Sequence, residues 1–109
     1  MGDDAVLLER IRELVDEPVG AERAGLLERM EHTLTDGYAH ALALEAERLR
    51  IERRMREVAS QLEQGDSKRK AEEISALSRR LSDAARELAR LRGMLQSLRQ
   101  RAALVRSVA

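Results

Sequence analysis

The sequence predicts an all-α protein: a long antiparallel helical hairpin of coiled-coil type, with a short N-terminal helix packed at its open end, three helices in total. Three observations predict it. Apolar residues recur at alternating steps of three and four over two long stretches, the signature of helices that share a seam. A turn signal, Gln64-Gly65-Asp66-Ser67, separates the two stretches. Charged residues make up 37% of the 109-residue chain and aromatic residues only 1%, so there is little bulk for a thick core.

The first helix is expected over about residues 4–17. Asp3 or Asp4 can cap its start and favour its positive end. Leu7, Leu8, Ile11, Leu14 and Val15 follow at the spacing of one helical face. Pro18 stops it, because the residue before a proline is pushed out of the α region. The second helix, expected over about 21–63, begins near Ala21 and carries an a/d pattern. The pattern runs Leu27, Met30, Leu34, Gly37, Ala41, Leu44, Arg48, Ile51, Met55, Val58 and Leu62, with Gly37 and Arg48 as the departures. Gly65 suits a left-handed helix end, and Asp66 or Ser67 can cap the next helix. The third helix, expected over about 67–107, has the cleaner register. Ile74, Leu77, Leu81, Ala84, Leu88, Leu91, Leu95, Leu98, Ala102 and Val105 fill it with no polar residue.

A loop this short forces the long helices antiparallel. Facing residues then have numbers that sum to about 132. Met55 is expected near Leu77, Leu34 near Leu98, and Gly37 opposite Leu95. Charge favours the same pairing, since residues 1–47 carry twelve acids against four bases and residues 84–109 one acid against six bases. Exposed ion pairs each contribute only about 0.3–0.5 kcal/mol, so charge selects orientation while the apolar seam supplies stability. Arg48 interrupts an a position, and Asp83 or Glu87 is expected to receive its guanidinium. The first helix should reach the level of Leu34 to Tyr38, making one domain (1–109) with a three-helix open end and a two-helix arm.

Several function classes are excluded or disfavoured. There is no cysteine, hence no disulfide framework and no thiolate chemistry. No Gly-rich phosphate loop, H-E-x-x-H motif or nucleophile beside a base is present, and we expect neither enzymatic activity nor a cofactor. Both histidines fall in the run Glu28, His32, Asp36, His40, spaced four apart, where neighbours could chelate a divalent ion. A four-residue step drifts around the helix, however, so the run cannot converge on one ion within a single chain. The expectation is therefore no metal, with His32, Asp36 and His40 as the only candidates.

Two interaction surfaces stand out. Tyr38, Leu42 and Leu49 lie on a stripe that the main seam does not use, with Ala85, Ala89 and Met94 as small or flexible apolar surface on the third helix. Uncovered apolar surface marks interfaces, so a protein partner is expected, first of all a second copy. The alternative is a nucleic-acid partner, contacted through the arginines of the third helix and the tip cations Lys68, Arg69 and Lys70. Against it stand a net charge of zero and the absence of Phe and Trp for stacking on bases. Acid at Asp3 and Asp4, where a signal peptide needs positive charge, and the lack of a long apolar run point to a cytoplasmic protein with no membrane contact. Arginine in place of lysine, with abundant alanine, suggests a GC-rich bacterial coding sequence. The function expected is a non-enzymatic coiled-coil interaction module, a self-associating adaptor or regulator.

Overall fold

The computed structural model describes residues 2–20 and 22–107, with side chains from Asp4 onward. It contains α1 (Gly2–Asp16), α2 (Arg23–Ser60) and α3 (Ser67–Ser107), and no strand among the described residues. The two long helices form the expected hairpin, with α1 as its short N-terminal companion. Contacts gather in two compact units. One comprises Met1–Ala41 with Arg90–Ala109, and the other Leu42–Ala89.

The helix ends follow from local chemistry. α1 is already helical at Gly2, so Asp4 sits in its first turn rather than at its cap; the Asp3 side chain lies outside the described residues. Glu17 is the first non-helical residue, immediately before Pro18. The expected start of α2 at Ala21 also lies outside the described residues, and the first helical bond runs from the Leu26 amide to the Glu22 carbonyl at 2.9 Å. At its far end α2 stops at Ser60, about one turn short of the expected residue 63. The chain tightens there into three-residue turns, with the Gln61 amide on the Val58 carbonyl at 3.0 Å and the Gln64 amide on the Gln61 carbonyl at 2.9 Å. The Ser60 hydroxyl donates to the Glu57 carbonyl at 2.7 Å, which competes with continued helix. Gly65 then takes φ 78°, the left-handed conformation that a side chain would disfavour. Asp66 Oδ1 accepts the Arg69 amide at 3.1 Å and caps α3.

In the first unit three helices share one core. α1 contributes Leu7, Ile11 and Leu14, α2 contributes Leu26, Met30 and Thr33, and α3 contributes Leu91, Leu95, Leu98, Ala102 and Val105, all buried. Leu27 and Leu34, expected at the seam, are only half-buried, and Leu26 and Thr33 take the enclosed positions. The reason is the third helix. α2 must bury a face wide enough for both α1 and α3, and the centre of that face is rotated by one residue from a two-helix seam. Gly37 fits this crowding. A Cβ built on it would overlap the Leu95 side chain, which is 2% exposed and has nowhere to go. The expected pairing of Gly37 with Leu95 is thus present, as a close approach of helix backbone to a leucine. Polar contacts tie α1 down along its length. Arg10 reaches Asp36 at 2.7 Å, Asp4 meets His40 at 2.5 Å, and Arg29 reaches Glu17 at 2.9 Å. α1 therefore reaches His40, slightly beyond the level expected from its length. Its C-terminal end is capped by Arg101 of α3, which donates to the Glu17 carbonyl at 2.8 Å.

In the second unit only α2 and α3 are present, and the seam is thin. Ile51, Val58 and Leu77 are buried, with Met55, Ile74 and Leu81 half-buried against them. All six are positions of the expected heptad seam. Ala84 and Leu88 continue the buried row on α3.

Two glycines in helix interiors make opposite predictions. Gly93 occupies an exposed position of α3, and a Cβ added there would meet nothing within 4 Å. Gly93→Ala should raise stability by about 0.5–1 kcal/mol, the helix-propensity difference alone. At Gly37 the same gain is outweighed by overpacking, which costs about 1–3 kcal/mol in a filled core. Gly37→Ala should therefore lower stability, by about 1 kcal/mol net. Urea unfolding followed by circular dichroism reads both signs.

Candidate functional site

The two edges of the seam in the second unit are unlike. One edge is closed by ion pairs between the helices, Arg54 with Glu73 at 2.9 Å and Arg80 with Glu47 at 2.9 Å. These positions flank the seam on the same side in both helices, which leaves the other flank to Glu45 and Glu52 on α2 and Ser78 and Ala85 on α3. On that second edge Glu45 and Glu52 lie beside Arg48 of their own helix. Here α3 offers small side chains at helical spacing, Ser75, Ser78, Ser82, Ala85 and Ala89, of which Ala85 is half-buried and the rest exposed. Beside them on α2 stand Leu42 and Leu49, one heptad apart, 72% and 56% exposed. A ridge of leucine thus borders a shallow trough of serine and alanine on one face of a two-helix coil.

Arg48 faces this edge, and its partners differ from those expected. Its guanidinium lies 3.6 Å from Glu45 and 3.8 Å from Glu52, both on its own helix. Asp83 instead pairs with Arg86 and is 70% exposed. The physical reason is reach. Glu45 and Glu52 flank the a position by three and four residues on the side to which the long side chain snorkels, whereas Asp83 points away from the seam. Arg48 Nε is buried without a hydrogen-bond partner, so this charge is incompletely satisfied.

The other sequence-derived candidates are dispersed. Tyr38, in the first unit, is 43% exposed. His32, Asp36 and His40 do not converge. Asp36 is taken by Arg10, His40 by Asp4, and His32 stands exposed on the rim of a groove between α1 and α2. At the tip the three cations separate into two roles. Lys70 donates to the Gln61 carbonyl at 2.6 Å and also to the Gln64 carbonyl, closing the C-terminal end of α2. Lys70 therefore acts as a helix cap at the tip. Lys68 and Arg69 are exposed, with no side-chain partner among the described residues. Sequence reasoning singled out Ala85 and Ala89 but missed the serines at 75, 78 and 82 that continue the same face, although their recurrence was available as a signal. It also missed the α1–α2 groove, which depends on how far apart two helices lie.

No helix among the described residues is long and apolar enough to cross a membrane. Comparison of the chain with family models, with curated proteins and with solved structures gives no match.

Glu47 provides a pH test of the ion-paired edge. Hydrogen bonding to Arg50 holds its carboxyl below the ordinary glutamate value against the opposing effect of burial, with Arg80 adding to the lowering. A carboxyl whose folded value is depressed adds stability above the unfolded value and loses it as pH falls through the folded one. The stability difference between wild type and Glu47→Gln should therefore be largest near neutrality and vanish in acid. It should not exceed about 0.5 kcal/mol, because the pair is solvent-screened. Urea titrations between neutral pH and pH values below the usual glutamate range check it.

Proposed function

We propose that the protein is a non-enzymatic interaction module that acts first by pairing with a second copy of itself through the open edge of the Leu42–Ala89 unit. The observation that carries this reading is the juxtaposition of the Leu42 and Leu49 ridge with the Ser78, Ser82 and Ala85 trough on one face. Ridge and trough belong to the same surface, so a two-fold axis lays each ridge into the other copy's trough, as an isologous interface requires. Small residues on α3 let a partner helix approach closely, and the seven-residue spacing of the leucines matches one heptad of a four-helix arrangement. The ion-paired edge, with its four charges already matched, offers a second copy less.

Tyr38 lies in the other unit and is not needed for this interface, which narrows the stripe expected from sequence. In the nucleic-acid alternative Lys70 is already engaged in the helix cap, which leaves Lys68, Arg69 and the arginines of α3 to contact phosphate. A cytoplasmic interaction partner in a bacterial cell is the setting this reading assumes.

Sedimentation velocity at tens of micromolar protein tests it. Wild type should sediment with about twice the 12.3 kDa mass of one chain. Leu42→Glu with Leu49→Glu, and separately Ala85→Glu, should return one-chain mass with helicity retained. Glu57→Lys, on the ion-paired side of the seam, should leave the dimer intact. One-chain mass for wild type, or a dimer that survives Leu42→Glu with Leu49→Glu, would overturn the reading.

A further inference from the structure

The first unit carries two features that its own packing does not explain. Leu104 on α3 is 60% exposed. Gly93 on the same helix is also exposed, and a Cβ added there would meet nothing within 4 Å. A glycine inside a helix weakens it and suits a place where backbone is closely approached, yet nothing among the described residues uses this space. The two positions are eleven residues apart, about three helical turns, so they lie along one stripe of α3. Ser97 stands between them, and its hydroxyl folds back to donate to the Gly93 carbonyl at 3.3 Å. The stripe is thus a notch and a knob with low surface between.

Beside this stripe runs a groove of about 260 Å³ between α1 and α3, lined by Ile11, Val15 and Met94. Small-ligand sites occupy about 300–1,000 Å³, so a groove of this size suits the inserted side chains of a neighbouring helix better. Met94 is half-buried and flexible enough to adapt to them. Arg12 and Asp16 stand on its α1 side, about one helical turn apart and both exposed. Arg12 reaches Glu9 of its own helix at 3.2 Å, a solvent-screened contact that exchanges readily. Asp16 has no ion-pair partner among the described residues. α1 and α3 run in the same direction, because both oppose α2: α1 through Asp4–His40 and Glu17–Arg29, α3 through Glu31–Arg106 and Gly37–Leu95.

We propose that this α1–α3 face pairs with the same face of a second copy about a two-fold axis that runs across the helices. Shape and charge are both self-complementary under that axis. With each α3 antiparallel to its counterpart, Leu104 of one copy enters the notch at the other's Gly93, and the reverse. On α1 each Arg12 meets the other copy's Asp16, since opposite charges on one helix exchange places across a two-fold. An unrelated partner would have to match both signs and both shapes separately, whereas a second copy matches them by symmetry. A face of one groove and one stripe gives a weak contact, formed at higher concentration than pairing through the open edge. It lies on the other unit and does not depend on that pairing. Where both contacts form, the chain assembles beyond the dimer.

Sedimentation of the full chain carrying Leu42→Glu and Leu49→Glu isolates this contact, because the open edge is then disabled whether or not it pairs in wild type. At about 500 micromolar this parent should associate reversibly toward two-chain mass, as a Kd on the order of 100 micromolar requires. Gly93→Gln fills the notch with a good helix former, so it should weaken association about tenfold while raising the stability of the fold. Leu104→Ala should weaken association severalfold with helicity unchanged. Arg12→Asp and Asp16→Arg should each weaken it, and the two together in one chain should restore it, a rescue that a local effect on α1 would not give. One-chain mass for the parent at that concentration overturns the proposal. So does undiminished association of the Gly93→Gln variant, or a double charge exchange that regains nothing of what either single change loses.

Discussion

The close approach of Gly37 to Leu95 fixes how α2 and α3 can lie against each other. A glycine in the middle of a long helix is a liability of about 1 kcal/mol relative to alanine, and a protein that keeps it needs the space. Here the space is filled by a leucine that is itself buried. Sliding α3 by one heptad would put Leu88 or Ala102 against that backbone and leave Leu95 facing a larger side chain. In the second unit Ile51, Met55, Val58, Ile74, Leu77 and Leu81 form one cluster, and Arg54–Glu73 and Glu47–Arg80 bridge the same two helices.

Charge is distributed by task more than by simple attraction between helices. Long cations of α3 serve as helix ends for its neighbours: Arg101 on the Glu17 carbonyl and Lys70 on those of Gln61 and Gln64. The acids of α1 and the start of α2 line a groove and hold α1 in place. Arg48 keeps its charge at an apolar position by borrowing carboxylates from its own helix. Each of these arrangements uses side-chain length, a property that a charge count along the sequence does not contain.

Periodicity made the hairpin legible almost entirely. All ten seam positions of α3 are buried or half-buried, and its bounds agree with those expected. What periodicity could not show was the influence of a third helix. The exchange of Leu27 and Leu34 for Leu26 and Thr33 at the centre of the core is a property of the bundle, invisible in a two-helix pattern. The end of α2 was overestimated because Leu62 continues the heptad although its backbone has already left the helix. Leu42 and Leu49 were recognisable as off-seam leucines from their spacing alone, whereas the trough beside them required knowing which flank the ion pairs occupy. The groove behind Thr33 had no sequence signal, since a threonine one step before a heptad leucine reads as surface.

The two capping cations also differ in how much chain they enclose. Lys70 closes a contact across nine residues and Arg101 across 84. Loop-closure entropy grows with the logarithm of that separation, which makes the longer closure about 2 kcal/mol less favourable before any packing is counted. The tip can therefore hold its geometry in a chain whose remainder is still unpaired, while the seat of α1 exists only once both long helices are in place. Stability in this fold is accordingly graded along the chain: local and self-sufficient at the turn, collective and conditional at the end where α1 docks.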